Sequence, residues 1–506
     1  GATLYWFLTG RSPYEGAYPE IISGVAERDP EPPHRIDRSI PVDLETIVLK
    51  CLEKEQDRRY PSARALSEDL RRFLAGEPIT ARPATLIYKL GKRIRKHPHL
   101  VTASIVAVAA FATLGGLSLN ANLRTRRQAA VAEQLGERAR EIESLARVAA
   151  MMPLHDRTPE RAAIRERMAA IEAEMDRLGP IGAGPGHYAL GRGHLSLDDD
   201  LAARRSLERA LEVGYRSPGV SYALGLVLGR LYRRELALAR RIDEAELREA
   251  RIAEVGASLR DPALAHLRSA GGASVEAPQY AEALIAFYGG DLERALAATR
   301  EAFAAEEWLF EAKRLEGEIL LEVGVERRLR GDAAGALAAF EEAGRAFALA
   351  ADIGRSDPGV HEGECAMWTQ VLELNSRRDQ PVLEPFERAV AACERALRID
   401  ADRADVHELL SNLYWRWADL VNDRGGEPGP FLAKAIAEAE RAIALDPESV
   451  AALSTRGGAL TVAALGELAR GGDPRPTLVR AVESFEAAIA LDPGAVLAHD
   501  DLGYAW

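Results

Sequence analysis

At 506 residues the chain is too long for one ordinary domain, and two to four folding units are expected. A net charge of -13 works against general nucleic-acid binding, because phosphates would be repelled. Hydrophobic residues make up 47% but aromatics only 6%, which points to Ala/Leu-rich helices and a mostly α fold.

The chain opens on GATLYWFLTG, an apolar helical run with neither an initiator Met nor a signal-peptide pattern. It ends on LAHDDLGYAW, also inside a helical pattern, so both ends read as cut. In residues 1–80, Gly10 and Pro13 end the first apolar run, and a second helix is expected over VDLETIVLKCLEKE. A loop at EQDRRYPS then leads into an amphipathic helix with Leu66, Leu70, Phe73 and Leu74 on one face.

These residues resemble the end of the large lobe of bacterial serine/threonine protein kinases. LYWFLTGRSPYEG is similar to that family's LYELLTGRPPFxG stretch, and IPVDLETIVLKCLEKEQDRRYPSARALSEDLRRFL to its terminal helices. The resemblance covers about 80 of the 506 residues. It implies that Arg59 has a structural role, an ion pair to the Glu that closes the family's activation segment. Glu55-Gln56 stands where the family has Asp-Pro, a departure at the local turn.

Phosphoryl transfer needs a Gly-rich loop, a Lys on the phosphates, a catalytic-loop Asp and an Asp on magnesium. The sequence holds no GxGxxG, HRD or DFG, and Arg28-Asp29 lacks the flanking His and Asn of a catalytic loop. No catalytic, cofactor-binding or metal residue is assigned. The resemblance implies ATP and magnesium for an intact kinase only, with none bound by this chain, which alone should be inactive. Either the catalytic portion belongs upstream of Gly1 or it was lost naturally, and the cut ends favour the first.

Residues 81–99 form a basic juxtamembrane segment in which Arg82, Lys89, Lys92, Arg93, Arg95 and Lys96 have no acidic neighbour. Residues 100–119, LVTASIVAVAAFATLGGLSL, carry no charge. Twenty helical residues reach roughly 30 Å, the thickness of a bilayer's hydrocarbon core. A transmembrane helix is expected there, although an Ala-rich run would also suit a buried helix. Arg124, Arg126 and Arg127 follow and are soon diluted by acids, so the basic excess favours a cytoplasmic N-terminal side and an array outside the cytoplasm.

Residues 120–180 read as a helical linker. Val131, Leu135, Ile142, Leu145 and Ala149 form an apolar stripe suited to a short dimerising stalk. It spans fewer than three heptads and Arg138 sits on its seam, so a connecting helix is expected, with a homodimer left open. The three cysteines, Cys51, Cys365 and Cys393, show no CxxC and no zinc-ligand spacing. Cys365 and Cys393 are expected as two buried thiols, pairing being left open if the region lies outside the cytoplasm.

Residues 181–506 are read as repeats. ERALRID at 394–400, ERAIALD at 440–446 and EAAIALD at 486–492 recur at a constant offset of 46 residues. They resemble the tetratricopeptide repeat (TPR), whose period is about 34 residues, so each unit carries extra residues. GGEPGP at 425–430 and GGDPRP at 471–476 are the expected insertions, between the helices of a pair. Residues 186–214 read as one pair, and GDLERALAATREAF and GDAAGALAAFEEAGRAF as the starts of others. The expected architecture is a TPR-like α-solenoid with a curved inner surface that binds proteins or peptides. Tyr414, Trp415 and Trp417 are expected to pack between helices rather than to stack a peptide.

The leading expectation is a piece of a membrane-anchored serine/threonine kinase with a TPR-like sensor or scaffold. A non-catalytic, membrane-tethered TPR scaffold is the alternative.

Overall fold

A computed structural model describes all residues except 83–84, 86, 90–97, 241, 243, 272–277, 493, 495–497, 500–501 and 504–506. Lys92, Arg93, Arg95 and Lys96 of the basic segment lie outside the described residues. Among the described residues every regular element is a helix, and the chain divides into units at Gly1–Thr125 and Arg126–Trp506.

The first unit holds α1 (Ala2–Thr9), α2 (Tyr18–Glu27), α3 (Pro33–Ile36), α4 (Val42–Cys51) and α5 (Ala63–Leu74). Gly10 stops α1 in a left-handed conformation at φ 70°, which a side chain would oppose. Its core is small: Tyr5, Ile40, Ile47, Val48 and Ile79 are buried. Only part of the expected face of α5 is covered, Leu74 being exposed, and its most buried member is the carboxylate of Asp69. Asp69 accepts from Tyr60 Oη at 2.8 Å and from the backbone of Thr80 and Ala81 at 2.6 and 2.8 Å. Those hydrogen bonds compensate for its burial and tie the outgoing chain back onto α5. Trp6, Phe7 and Tyr18 leave an exposed apolar face.

Helix α6 (Pro98–Met151) crosses from one unit to the other. Its stretch from Ile105 is apolar enough to cross a membrane, and the apolar window there has no burial against protein. Val108 and Phe111 are 68% and 79% exposed, so this stretch is not covered by the described part of the chain. Beyond Val131 the same helix changes character. Leu135, Ala139 and Ile142 pack with Ile164, Met168 and Ile171 of α7 (Thr158–Leu178) and with Ala189 and Leu190 of α8 (Pro180–Ser196). The expected stalk seam is thus filled within one chain, and Arg138 is paired with Glu174 at 2.9 Å.

The helices that follow are α9 (Asp200–Glu212), α10 (Pro218–Ala239), α11 (Ala245–Val255), α12 (Asp261–Ser269), α13 (Pro278–Tyr288), α14 (Leu292–Ala305), α15 (Phe310–Leu329) and α16 (Ala333–Ile353). The array ends with α17 (Pro358–Ser376), α18 (Leu383–Ile399), α19 (Ala404–Asp423), α20 (Gly429–Leu445), α21 (Val450–Ala469) and α22 (Arg475–Leu491). They pack as successive pairs, α8 with α9 as expected, then α10 with α12, α13 with α14, and so on to α21 with α22.

Two expectations change. The Gly-Asp motifs at 290–291 and 331–332 do not start pairs; they start second helices. Gly290 and Gly331 adopt φ near 84° and 83°, ending the first helix of a pair. Asp291 and Asp332 then accept from Arg294 N and Gly335 N, capping the second. Secondly, GGEPGP and GGDPRP do separate the helices of a pair, but they do not hold most of the extra residues. The helices of the late units, 20 and 17 residues, by themselves exceed a 34-residue period.

Glycines inside helices mark where neighbours come closest. Phe347 of α16 is fully buried between Gly317 of α15 and Gly363 of α17. A Cβ at either glycine would lie 2.7 or 2.5 Å from its ring. Phe485 meets Gly457 in the last pair in the same way.

Candidate functional site on the inner face of the array

Arg59 lies beyond α4, immediately after the turn Gln56–Arg58. Its Nε donates to the Glu53 carbonyl at 2.7 Å and a terminal nitrogen to the Lys54 carbonyl at 3.3 Å. The neighbouring carboxylates are already engaged. Asp69 is satisfied as above, Asp43 receives Arg82 and the Tyr88 hydroxyl, and Glu45 receives His34. Among the described residues no acidic or histidine group is placed to hold a metal ion.

In the array the first helices of successive pairs touch one another, α15 with α17, α17 with α19 and α19 with α21. They line the inner surface that a solenoid offers to partners. Glu322 of α15 is clasped by Arg233 and Arg240 of the α10 segment. Burial works upward on its carboxyl, but the two guanidiniums outweigh that and hold it below the ordinary range. Arg233 also lies over the Phe287 ring at 4.4 Å. A shallow hollow of about 300 Å³ opens here, lined by Arg233, Phe287, Glu318, Leu321, Glu322 and Val325. Its lining combines the apolar Phe287, Leu321 and Val325 with charges of both signs.

A second cluster joins distant turns. Arg403, at the start of α19, reaches Asp198 in the α8–α9 turn at 3.4 Å and also binds Glu362 and Asp405. Arg230 of α10 lies 3.5 Å from both Asp198 and Asp200. Burial works upward on Asp198 too, and Arg403 and Arg230 outweigh it. Glu362 goes the other way. Removal from water, with Asp405 beside it, pushes its carboxyl up to about 8 against the pull of Arg403.

This sets a pH dependence. Between about 4.5 and 8 the folded chain keeps a proton on Glu362 that the unfolded chain releases, so stability falls as pH rises through that window. His407 acts in the same sense. Burial works downward on it, but Glu438 at 2.5 Å and the Ala401 carbonyl raise it overall, and its contribution is lost as pH rises through that raised value. Urea midpoints at about pH 5 and about pH 8 should therefore differ, with Glu362→Gln removing most of the difference and His407 leaving the rest. Equal slopes in the two proteins would refute the assignment.

The aromatic cluster is core. Tyr414 and Trp417 are buried, Trp417 stacks on Phe386 at 4.1 Å, and Trp415 packs beside them. The cysteine expectation is corrected: Cys365 of α17 and Cys393 of α18 form a disulfide joining the two helices of one pair. Their Cα atoms lie 5.4 Å apart at the centre of the pair's buried interface, a separation a disulfide spans. The sequence offered no fixed spacing from which that proximity could be read.

No family model matches the chain. Over 79 residues, 15% of its length, it is 39% identical to serine/threonine-protein kinase PknB of Mycobacterium leprae. Over 85 residues, 17% of its length, it is 36% identical to a probable serine/threonine-protein kinase of Streptomyces coelicolor. The chain spans about 13% of the length of these curated relatives. Among solved structures, YrrB, a TPR protein with an unusual peptide-binding site, is 16% identical with a TM-score of 0.29, covering 44% of this chain and 89% of that one. Yeast Tom70 is 14% identical with a TM-score of 0.36, covering 83% and 84%. Neither likeness adds to what the helix pairs themselves show. The chain is kinase-related over a short stretch and carries a TPR-like helical array.

Proposed function

We propose that the chain is part of a membrane-anchored serine/threonine protein kinase whose helical array recognises proteins or peptides outside the cytoplasm. The observation that carries this is the order of its parts: a kinase-like stretch, an exposed apolar helix, then a disulfide-containing array. Transfer of the ATP γ-phosphoryl group to protein Ser or Thr would belong to residues upstream of Gly1. The apolar face of Trp6, Phe7 and Tyr18 is what such a neighbouring portion would cover. The disulfide supports placing the array in an oxidising compartment, and the basic residues before the span support a cytoplasmic N-terminal side.

Two tests bear on this directly. The coding sequence upstream of Gly1 should contain, in frame, the phosphate-binding Lys and the HRD and DFG motifs; their absence defeats the kinase reading and leaves a tethered scaffold. The chain should also stay in carbonate-washed membranes. Val108→Arg combined with Phe111→Arg should release most of it, since each charge costs about 2.5–3.5 kcal/mol at the centre of a span. Retention of that variant would mean that the helix does not cross the bilayer.

A further inference from the structure

The end of α6 is not held only by its neighbours α7 and α8. Three connections between successive pairs, Trp308–Phe310, Gly354–Asp357 and Ile399–Arg403, all receive the segment 147–161. Arg147 pairs with Glu311 at 3.1 Å over the Trp308 ring. Ala150 packs with Phe310, Ala350 and Val360.

Ser356, fully buried, is the hub. Its N–H donates to the Ala150 carbonyl at 2.7 Å and its hydroxyl to the Pro153 carbonyl at 3.0 Å. That same hydroxyl accepts from His155 N at 3.1 Å. Arg157, also buried, bridges outward from the hub. It donates to the Ser356 and Ala146 carbonyls at 3.3 Å each, and its N–H donates to the Ile399 carbonyl at 2.9 Å. Arg161 adds an ion pair to Asp400 at 2.9 Å. Apart from the Ala146 bond, these link residues about 200 or more positions apart, and Ser356 and Arg157 are both buried, where losing one partner strands the other.

We propose that residues 147–161 are a latch through which the middle of the array holds the helix carrying the apolar span. A change of curvature in α15–α18, of the kind a ligand on the inner face would impose, then acts on α6 through Ser356 and Arg157. First-helix contacts in a solenoid pass strain only to neighbours; the latch instead connects the membrane-side helix to three connections between pairs at once. It rests on the membrane-anchored reading for its meaning. Its test uses neither phosphoryl transfer nor a partner, so each can fail without the other.

The test is amide hydrogen exchange on the full chain in lipid nanodiscs. In Arg157→Ala, exchange should rise by about tenfold not only at 354–357 and 399–403 but back along α6 from Met151 to Ala139. Ser356→Ala should give the same pattern more weakly, and it serves if Arg157→Ala fails to fold. Ser484→Ala, a buried hydroxyl of the last pair, is the control and should leave α6 unchanged. The proposal is overturned if faster exchange stays within residues 155–157, or if the control reproduces the pattern.

Discussion

Replacing Cys365 or Cys393 with alanine is expected to lower the stability of the array by about 3–4 kcal/mol, the chain-entropy value for a loop of 28 residues. Both sulfurs are fully buried between α17 and α18, so the lost packing adds to the effect. In guanidinium titrations followed by circular dichroism, a reductant should shift the wild type most of the way toward the midpoint of the variants and leave the variants where they are. Cys365 and Cys393 should resist alkylation until the chain is reduced and unfolded, whereas the free Cys51 need not. Alkylation of Cys365 or Cys393 in the native chain, or equal midpoints with and without reductant, would show that the bond contributes nothing.

Phe347→Ala is expected to cost about 3–5 kcal/mol, because the ring has no room to be replaced by collapse from either side. Gly317 and Gly363 approach it from two different pairs, so the cavity would open at the junction of α15–α16 with α17. Apart from the latch and the Arg403–Asp198 contact, a stacked array has only neighbour contacts to bridge a weakened junction. Unfolding should therefore change from one transition to two, with the C-terminal pairs outlasting the middle. Gly363→Ala should act in the same direction. The helix propensity gain of about 1 kcal/mol is smaller than the cost of about 1–3 kcal/mol for forcing a methyl onto a confined ring. A single unshifted transition in both variants would contradict this account of the packing.

Much of the fold was legible because it is local. The uncharged run at 100–119, the late repeats and the helix pair at 186–214 follow from periodicity and turn residues alone. Short α2 and α3 were missed, because Pro-rich connections around them outweigh ten and four helical residues. The Gly-Asp motifs were read as pair boundaries because a left-handed glycine and a capping aspartate look alike at either turn of a pair. What the sequence could not disclose is non-local. Nothing near Ser356 announces Ala150 and Pro153 as its partners, and nothing near Asp198 announces Arg403. The same holds for the inner-face hollow, where Arg233, Phe287 and Glu322 come from three separate helices. Asp69 was overlooked for another reason. On a helix whose apolar face is otherwise clear, a carboxylate reads as solvated, yet it accepts bonds that fix the chain leaving α5.

The latch also has a consequence for how the protein is made. The helix that carries the apolar span emerges from the ribosome early, while its anchoring turns, the last of them at Ile399–Arg403, follow much later. At roughly 5–20 residues per second, the intervening stretch of roughly 250 residues takes about 10–50 s to synthesise. Until those last turns emerge, the bonds of Arg157 and Arg161 to Ile399 and Asp400 cannot form, and the first pairs must stand on their own packing. The segment 147–161 is thus fully secured only after most of the array has been made.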